Sequence, residues 1–100
     1  MKDMRNRSRF QIVGDILLAA NENGGGNGAT RTKIMYKAYL SHAQMKGYLT
    51  ALTEKDLLRY DLEKETFKIT QKGLMFLDIY NQIDGMIQLP TAPEQYQRPI

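Results

Sequence analysis

The fold is decided by the stretch TRTKIMYKAYLSHAQMKGYLTALTEK, residues 30–55. Apolar side chains on one side of its first part predict a short helix over about 31–39. Ser41 and Gln44 then have the spacing of a capping box, in which the hydroxyl accepts from the third helical amide and the glutamine side chain reaches back. A longer helix over about 42–55 is therefore predicted directly after the short one, which is the arrangement of a helix-turn-helix.

The sequence on either side supplies three further elements. Before the pair, Ser8 precedes an apolar pattern of helical spacing that predicts a helix over about 9–22. After the pair, apolar and polar residues alternate, which predicts a two-stranded hairpin over about 57–70. A last helix is predicted over about 71–89, and it ends before Pro90 because the residue before a proline disfavours helical geometry.

This order of elements predicts a mainly α (α+β) fold of the winged helix-turn-helix class. In this chain we expect a three-helix core that carries a two-stranded wing, with a C-terminal helix for dimerisation. The length of 100 residues fits one domain, which we assign to residues 9–89. Residues 1–8 are expected to form a flexible basic arm. Residues 90–100 contain all three prolines of the chain and are expected to be a disordered tail.

The composition argues against several classes of protein. The chain has no cysteine and one histidine, and neither a nucleophile–base pair nor a metal-ligand spacing is visible. The glycine-rich loop Gly24–Gly28 lacks the preceding strand and the following Gly-Lys-Ser/Thr of a phosphate-binding loop. No apolar run reaches the roughly 20 residues of a membrane span. We therefore expect no enzyme activity, no metal or other cofactor, no small-molecule ligand and no membrane association.

The charge is distributed unevenly along the chain. Residues 1–46 hold eight Lys or Arg and three Asp or Glu, whereas residues 47–100 hold six and eight. Such an asymmetry is typical of a protein with one basic face for a polyanion. Double-stranded DNA is therefore the expected partner, with a cytoplasmic, nucleoid-associated location.

The third predicted helix carries the candidate base-reading residues, since the second helix of a helix-turn-helix enters the major groove. The face opposite its apolar stripe holds small or polar side chains: His42, Ala43, Lys46, Gly47 and Thr50. A glycine inside a helix costs up to about 1 kcal/mol relative to alanine. Close approach by DNA or by a packed neighbour would explain Gly47.

Further cations are candidates for contacts with the DNA backbone. They flank the second helix, occupy the N-terminal arm and include one wing residue: Arg31, Lys33, Lys37, Arg5, Arg7, Arg9 and Lys64. Each phosphate that they neutralise adds to affinity and to its dependence on salt. Glu63 and Glu65 make the tip of the wing acidic, so we expect the wing to contact DNA lightly or not at all.

The last predicted helix has more apolar surface than one domain core needs. Part of this surface has the 4, 3, 4 spacing of a coiled-coil seam: Phe76, Tyr80, Ile83 and Ile87. A monomer rarely exposes such a patch, which favours a homodimer paired through this helix. The alternative is that the helix packs on the first helix of its own chain.

Several segments carry a resemblance that spans about residues 9–87: Arg31-Thr32-Lys33-Ile34-Met35-Tyr36, Leu40-Ser41, Tyr48-Leu49, Leu57-Leu58, Phe67-Lys68-Ile69-Thr70-Gln71-Lys72-Gly73, Phe76-Leu77 and Tyr80. The Ile-Met-Tyr and Ile-Thr-x-Lys-Gly segments are moderately specific in combination. Taken together, all of these segments resemble the small archaeal winged-helix DNA-binding proteins of the Sulfolobus 10a type. The resemblance implies a dimeric archaeal DNA binder, chromatin-associated or regulatory, joined through its last helix as an antiparallel coiled coil. This chain departs from that family in a shorter last helix, cut at Pro90, and in the glycine-rich insertion Gly24–Gly28.

Two functional hypotheses remain open. The first is a DNA-binding transcriptional regulator or chromatin-associated factor, which the basic first half and the small reading face favour. The second is a winged-helix module for protein–protein interaction in the transcription apparatus, which the acidic wing tip and the modest net charge of +3 favour. RNA binding is less favoured because no exposed aromatic platform is evident.

Overall fold

The computed structural model describes residues 7–22 and 26–87 and contains four helices and one hairpin. In chain order the elements are α1 (Arg9–Ala20), α2 (Arg31–Lys37), α3 (His42–Glu54), β1 (Leu58–Asp61), β2 (Thr66–Ile69) and α4 (Gln71–Ile87). This confirms the predicted winged helix-turn-helix class. Most of the basic arm, which includes Arg5, and the tail 90–100 lie outside the described residues, as does part of the loop Gly24–Gly28. Among the described helices, none is long and apolar enough to cross a membrane.

Hydroxyl caps fix where the first three helices begin, because the first backbone N–H groups of a helix lack intrahelical partners. Ser8 and Gln11 form a full capping box at α1. Thr30 Oγ1 accepts from an amide of the first turn of α2 at 3.1 Å. Ser41 and Gln44 form the predicted box at α3, with bonds of 3.1 and 2.9 Å. The caps therefore agree with the spacing in the sequence.

The turn between α2 and α3 is tighter than the sequence suggested. Helix α2 ends at Lys37, two residues before the expected position, because Tyr39 has a left-handed φ of 56° that no helix continues. The amide of Leu40 donates to the carbonyl of Met35 at 3.0 Å and closes the turn. Asp56 ends α3 in the same way, with a φ of 63°. These two reversals set the direction in which α3 leaves the core.

The wing is an antiparallel hairpin in which Tyr60 pairs with Phe67. Ala29 extends this sheet by one residue, since its amide and carbonyl bond to the carbonyl and amide of Phe67 at 3.0 and 2.8 Å. This bridge was not predicted from the hydrophobic pattern. Because Ala29 directly precedes the cap of α2, the bridge places the first turn of α2 beside strand β2 of the wing.

The core lies where α1, α2 and the hairpin meet. Its most buried large side chains are Ile16, Leu17, Ile34 and Leu58. Helix α3 adds an apolar stripe whose members are all nearly inaccessible: Met45, Leu49 and Leu52. Burying each of these aliphatic side chains contributes about 1.5–3 kcal/mol. The opposite side of α3 is thereby left in solvent.

Helix α4 packs on α1 through aromatic rings. The ring centroid of Phe10 lies 5.3 Å from that of Phe76 and 5.1 Å from that of Tyr80. Gly14 makes room for this contact, because a Cβ atom there would lie 2.5 Å from the Tyr80 ring. Phe76 and Tyr80 were predicted in the dimer stripe, but they are half-buried against their own α1. The alternative of a helix packed on the first helix therefore applies to these two rings.

Arg7 is also placed differently from its prediction as a phosphate contact. Its guanidinium donates to Asp15 Oδ2 at 2.8 Å, to the carbonyl of Ala38 at 2.7 Å and to that of Tyr39 at 3.0 Å. The side chain is only 3% exposed. This prediction is corrected, because a guanidinium buried against a carboxylate and two carbonyls is not offered to DNA. Arg7 instead ties α1 to the helix-turn-helix turn.

Candidate nucleic-acid interface

The predicted base-reading residues lie together on the outer side of α3. All five are exposed, and we call them the reading face: His42, Ala43, Lys46, Gly47 and Thr50. They lie opposite the buried stripe of the same helix, as the helical period requires. The face has no side chain larger than lysine and presents an imidazole, an amine and a hydroxyl. A surface of this kind can approach another molecule closely.

Gly47 has open space where its side chain would be. No described atom lies within 4 Å of a Cβ placed there. The packed neighbour that was one explanation for this glycine is therefore not found among the described residues. The same is true of Gly85 on α4, whereas the space at Gly14 is filled by Tyr80. Gly47 consequently weakens α3 without improving its packing against any of the described residues.

An open groove of about 390 Å³ lies between α3 and the wing. It is lined by Arg31, Lys46, Leu49, Thr50, Thr53, Glu54, Tyr60 and Phe67. Its most buried lining residues are apolar, Leu49 and Phe67. Lys46 and Thr50 belong to the reading face as well, so the groove continues that face toward the wing. Arg31 and Lys46 together outnumber the one acid in the groove, Glu54.

Arg31 is held by two aromatic rings of the wing. Its guanidinium carbon lies 5.0 Å from the ring centroid of Tyr60 and 5.1 Å from that of Phe67. Both distances are within the roughly 6 Å over which a cation is attracted to a ring face. The two rings are 4.8 Å apart and tilted by 51°. Tyr60 and Phe67 lie in the predicted hairpin, but the sequence pattern did not reveal their contact with Arg31. It also did not reveal that Thr53 and Glu54 line the same groove.

Lys33 and Lys37, predicted as phosphate contacts, share one carboxylate. The amines lie 3.5 and 3.0 Å from the oxygens of Glu22 at the end of α1. The hydrogen bond from Lys37 is the largest cause that holds the pKa of Glu22 below its usual range, and Lys33 adds to it. Glu22 is thus ionised at neutral pH and offsets part of the charge of the two lysines.

Two further predicted cations lie on α1 and on the wing. Arg9 is exposed in the first turn of α1. Lys64 lies at the wing tip, where its amine donates to Asn27 Oδ1 at 2.9 Å. Asp61 Oδ1 accepts from the amides of Glu63 and Lys64 at 3.0 and 3.1 Å. The backbone bond from Lys64, followed by the Lys68 amine, lowers the pKa of Asp61. The wing tip therefore keeps its acidic character.

Metal chemistry has no visible support in this region. Over residues 7–22 and 26–87, no three His, Cys, Asp or Glu side chains converge as ligands of a metal ion would. His42 stands on the reading face with neutral and basic neighbours. The arrangement is suited to binding a polyanion through amines, a guanidinium and hydroxyls.

Comparisons with known proteins agree with this geometry. The model of the family described as winged helix-turn-helix matches residues 6–88. Among solved structures, the chain is similar to Sso10a-2, a DNA-binding protein from Sulfolobus solfataricus, with a TM-score of 0.64 and 23% sequence identity. The match covers 94% of this chain and 100% of the other, which confirms the resemblance in fold to the Sulfolobus 10a type. No curated protein matches the sequence significantly.

Proposed function

Because the chain belongs to the winged helix-turn-helix family, we propose that it binds double-stranded DNA and reads the major groove with α3. The observation that carries this proposal is the reading face, which is exposed, small and free of acidic residues. The major groove is about 12 Å wide and admits a helix. A face with Ala43 and Gly47 at its centre lets the helix axis approach the bases closely. The DNA-binding activity of the similar Sulfolobus protein supports the same assignment.

Three side chains on this face can contact base edges. The amine of Lys46 can donate to the guanine acceptors N7 and O6, and the imidazole of His42 can bond to a base edge or a phosphate. Neither forms an ion pair with another described residue. The hydroxyl of Thr50 can bond to donor or acceptor groups of the bases, or it can donate to phosphate. These groups are therefore available for binding without breaking a hydrogen bond or an ion pair to the described residues.

Phosphate contacts are proposed for the cations around the reading face. Arg31 lies beside the groove, Lys33 and Lys37 follow on α2, and Arg9 is exposed on α1. To contact phosphate, the two lysines would have to give up their ion pairs with Glu22. Each therefore contributes less to DNA affinity than an unpaired cation would. For Lys64 and for Arg5, which lies outside the described residues, phosphate contact stays a prediction. Each phosphate contact steepens the dependence of log affinity on log salt by about 0.9.

A regulator and a chromatin-associated factor differ in how strongly they discriminate among sequences. Specific regulators bind their sites about 10³–10⁷ times more tightly than other DNA. A general coating protein binds random duplexes with nearly uniform affinity. Selection from a random duplex pool at physiological salt separates the two roles, because only a regulator enriches one sequence.

Affinity for a duplex at several salt concentrations tests the proposal. We expect a steep negative slope of log affinity against log salt. Lys46→Ala should weaken binding at least about fivefold, since a base contact contributes about 1 kcal/mol or more. Lys55→Ala is the matched control, because it removes the same charge about 14 Å further along the axis of α3. It should leave affinity nearly unchanged.

Two results would contradict the proposal. Absence of binding to any duplex at low salt would exclude DNA as the partner and favour a protein-interaction module. Equal effects of Lys46→Ala and Lys55→Ala would show that α3 contributes only its overall charge. The reading face would then not be the contact surface.

We also propose that the protein is a homodimer paired through α4. The exposed apolar residues of this helix recur every three or four positions: Met75, Ile79, Ile83 and Met86, with Ile87 beside them. Phe76 and Tyr80 pack on α1 instead, so only Ile83 and Ile87 of the predicted stripe remain in this surface. An identical helix from a second copy is complementary to a stripe of such spacing. A two-fold pair would also present two copies of α3 to one face of DNA.

Sedimentation velocity tests the dimer. Wild type should sediment as a dimer, and Ile83→Asp should sediment as a monomer because it puts a charge into the apolar seam. Asn81→Asp is the control, since it adds the same charge to the same helix at an exposed polar position. A monomeric wild type at the concentrations used for DNA binding would refute the dimer. It would leave the DNA-binding proposal intact.

A further inference from the structure

The wing is acidic at its tip, yet the rings of Tyr60 and Phe67 on its strands contact Arg31, one of the two cations that line the groove. We propose that the wing contributes to DNA binding through Arg31, because the rings of Tyr60 and Phe67 hold the guanidinium ready for a backbone phosphate. The wing tip need not touch the DNA at all. This inference rests on the proposed DNA binding and names the positioning residues of one phosphate contact.

The ring contacts leave the donors of Arg31 available. Its guanidinium carbon is 5.0 and 5.1 Å from the centroids of the rings of Tyr60 and Phe67. Within the described residues, Arg31 forms no hydrogen bond and no ion pair. A guanidinium is planar and carries five N–H donors at its edge. The rings attract the positive charge of the guanidinium and do not accept hydrogen bonds from its edge. The N–H donors can therefore still bind phosphate.

The wing rings are themselves fixed by the fold. Phe67 is buried and bonds through its backbone to Ala29, the residue before the cap of α2. Tyr60 is its cross-strand partner. Two contacts, Tyr60 with Phe67 and Phe67 with Ala29, thereby join the rings to the chain segment that begins α2. Arg31 is the first residue of α2, so its side chain starts from a backbone position that the wing also fixes.

Prior placement of Arg31 matters because an arginine loses much rotamer freedom when it binds. The conformational entropy lost when one long side chain is immobilised weakens binding by about as much free energy as one moderate contact contributes. If the rings have already confined the side chain, less freedom remains to be lost when phosphate arrives. Thr50 and Thr53 line the same groove and can donate hydroxyls to the same phosphate. Lys46 on the adjoining reading face adds a second positive charge.

A double-mutant cycle on DNA affinity tests this inference. Tyr60→Leu and Tyr60→Met both remove the ring and keep an apolar side chain, so at least one is expected to fold. Each should weaken duplex binding about two- to fivefold, the range of a cation–ring contact at a partly exposed site. In an Arg31→Ala background the same changes should have no further effect. Tyr60→Phe, which keeps the ring, should bind like wild type.

A purely structural role of Tyr60 predicts other outcomes. If the wing supported the fold or touched DNA directly, Tyr60→Leu would weaken binding by the same factor with and without Arg31. That result would overturn the inference, and so would wild-type affinity in both ringless variants. Failure of the wild type itself to bind duplex DNA would instead refute the underlying proposal. Thermal unfolding of every variant confirms that folded proteins are being compared.

Discussion

Gly47→Ala separates the stability of α3 from its function. Glycine in a helix interior is about 0.8–1 kcal/mol less favourable than alanine. Since no described atom lies within 4 Å of the added Cβ, the variant should gain this amount without strain. A gain of about 0.8 kcal/mol raises the Tm of a domain this size by about 3–6 °C. The free protein should therefore be more stable than wild type.

DNA binding should change in the opposite direction. The methyl group would enter the space in which α3 approaches the bases. An extra methyl in a closely packed contact costs about 1–3 kcal/mol, which corresponds to about 5- to 150-fold weaker binding. The salt dependence should remain the same, because no phosphate contact is removed. Thermal unfolding measures the first effect, and anisotropy of a labelled duplex measures the second.

Gly85→Ala is the control for both measurements. Gly85 also has no described atom within 4 Å of an added Cβ, but it lies on the polar side of α4 with Asn81 and Gln82. It should raise the Tm by a similar amount and leave DNA affinity unchanged. A Gly47→Ala protein that is more stable and binds DNA like wild type would refute the close approach of α3. A lower Tm would refute the reasoning about open space.

Four further perturbations test other parts of the structure. Arg7→Ala should lower the free energy of unfolding by about 3 kcal/mol in chemical denaturation, because it removes the buried guanidinium from Asp15; an unchanged value would contradict this. Gly14→Ala should cost about 1–3 kcal/mol in the same assay, since the added Cβ meets the Tyr80 ring. Glu54→Gln removes the acid from the groove and should strengthen duplex binding about two- to fivefold at low salt, an effect that high salt should abolish. Burial, followed by the charges of nearby carboxylates, raises the pKa of Tyr80 above 10.0. The folded state thus favours the neutral phenol, and this stability is present below about pH 10 and lost as pH rises through the folded pKa. Tyr80→Phe should remove that part of the alkaline loss in denaturation curves from about pH 9 to about pH 12.

The parts of the fold that follow from local chemistry could be predicted from the sequence. Capping signals act within four residues, so Ser8 and Ser41 mark helix starts without knowledge of the tertiary structure. The change of hydrophobic period likewise marks the wing. The bridge at Ala29 could not be found in this way, because a single paired residue leaves no periodic pattern. The early end of α2 depends on the left-handed φ of Tyr39, a conformation that tyrosine rarely adopts.

The sequence predicted the residues of the candidate site only where the helical period determines which side chains are exposed. The reading face was found because the outer side of an amphipathic helix is determined by its buried side. Arg7 was misplaced because a basic residue near a terminus is usually solvated. One signal was available in the sequence: Asp15 lies among the apolar positions of α1, between Ile12 and Ile16. A carboxylate on a buried face requires a cation or hydrogen-bond donors nearby.

The excess of apolar residues on α4 has two separate causes. Phe76 and Tyr80 fill the space that Gly14 leaves on α1, and this contact completes the fold of one chain. The residues Ile79 and Ile83 point elsewhere, with 52% and 40% of their surface exposed. Packing on α1 cannot explain them, because a helix presents different sides to different neighbours. The second side of α4 is therefore the surface that the proposed dimer would use, and the first is where this chain completes its own core.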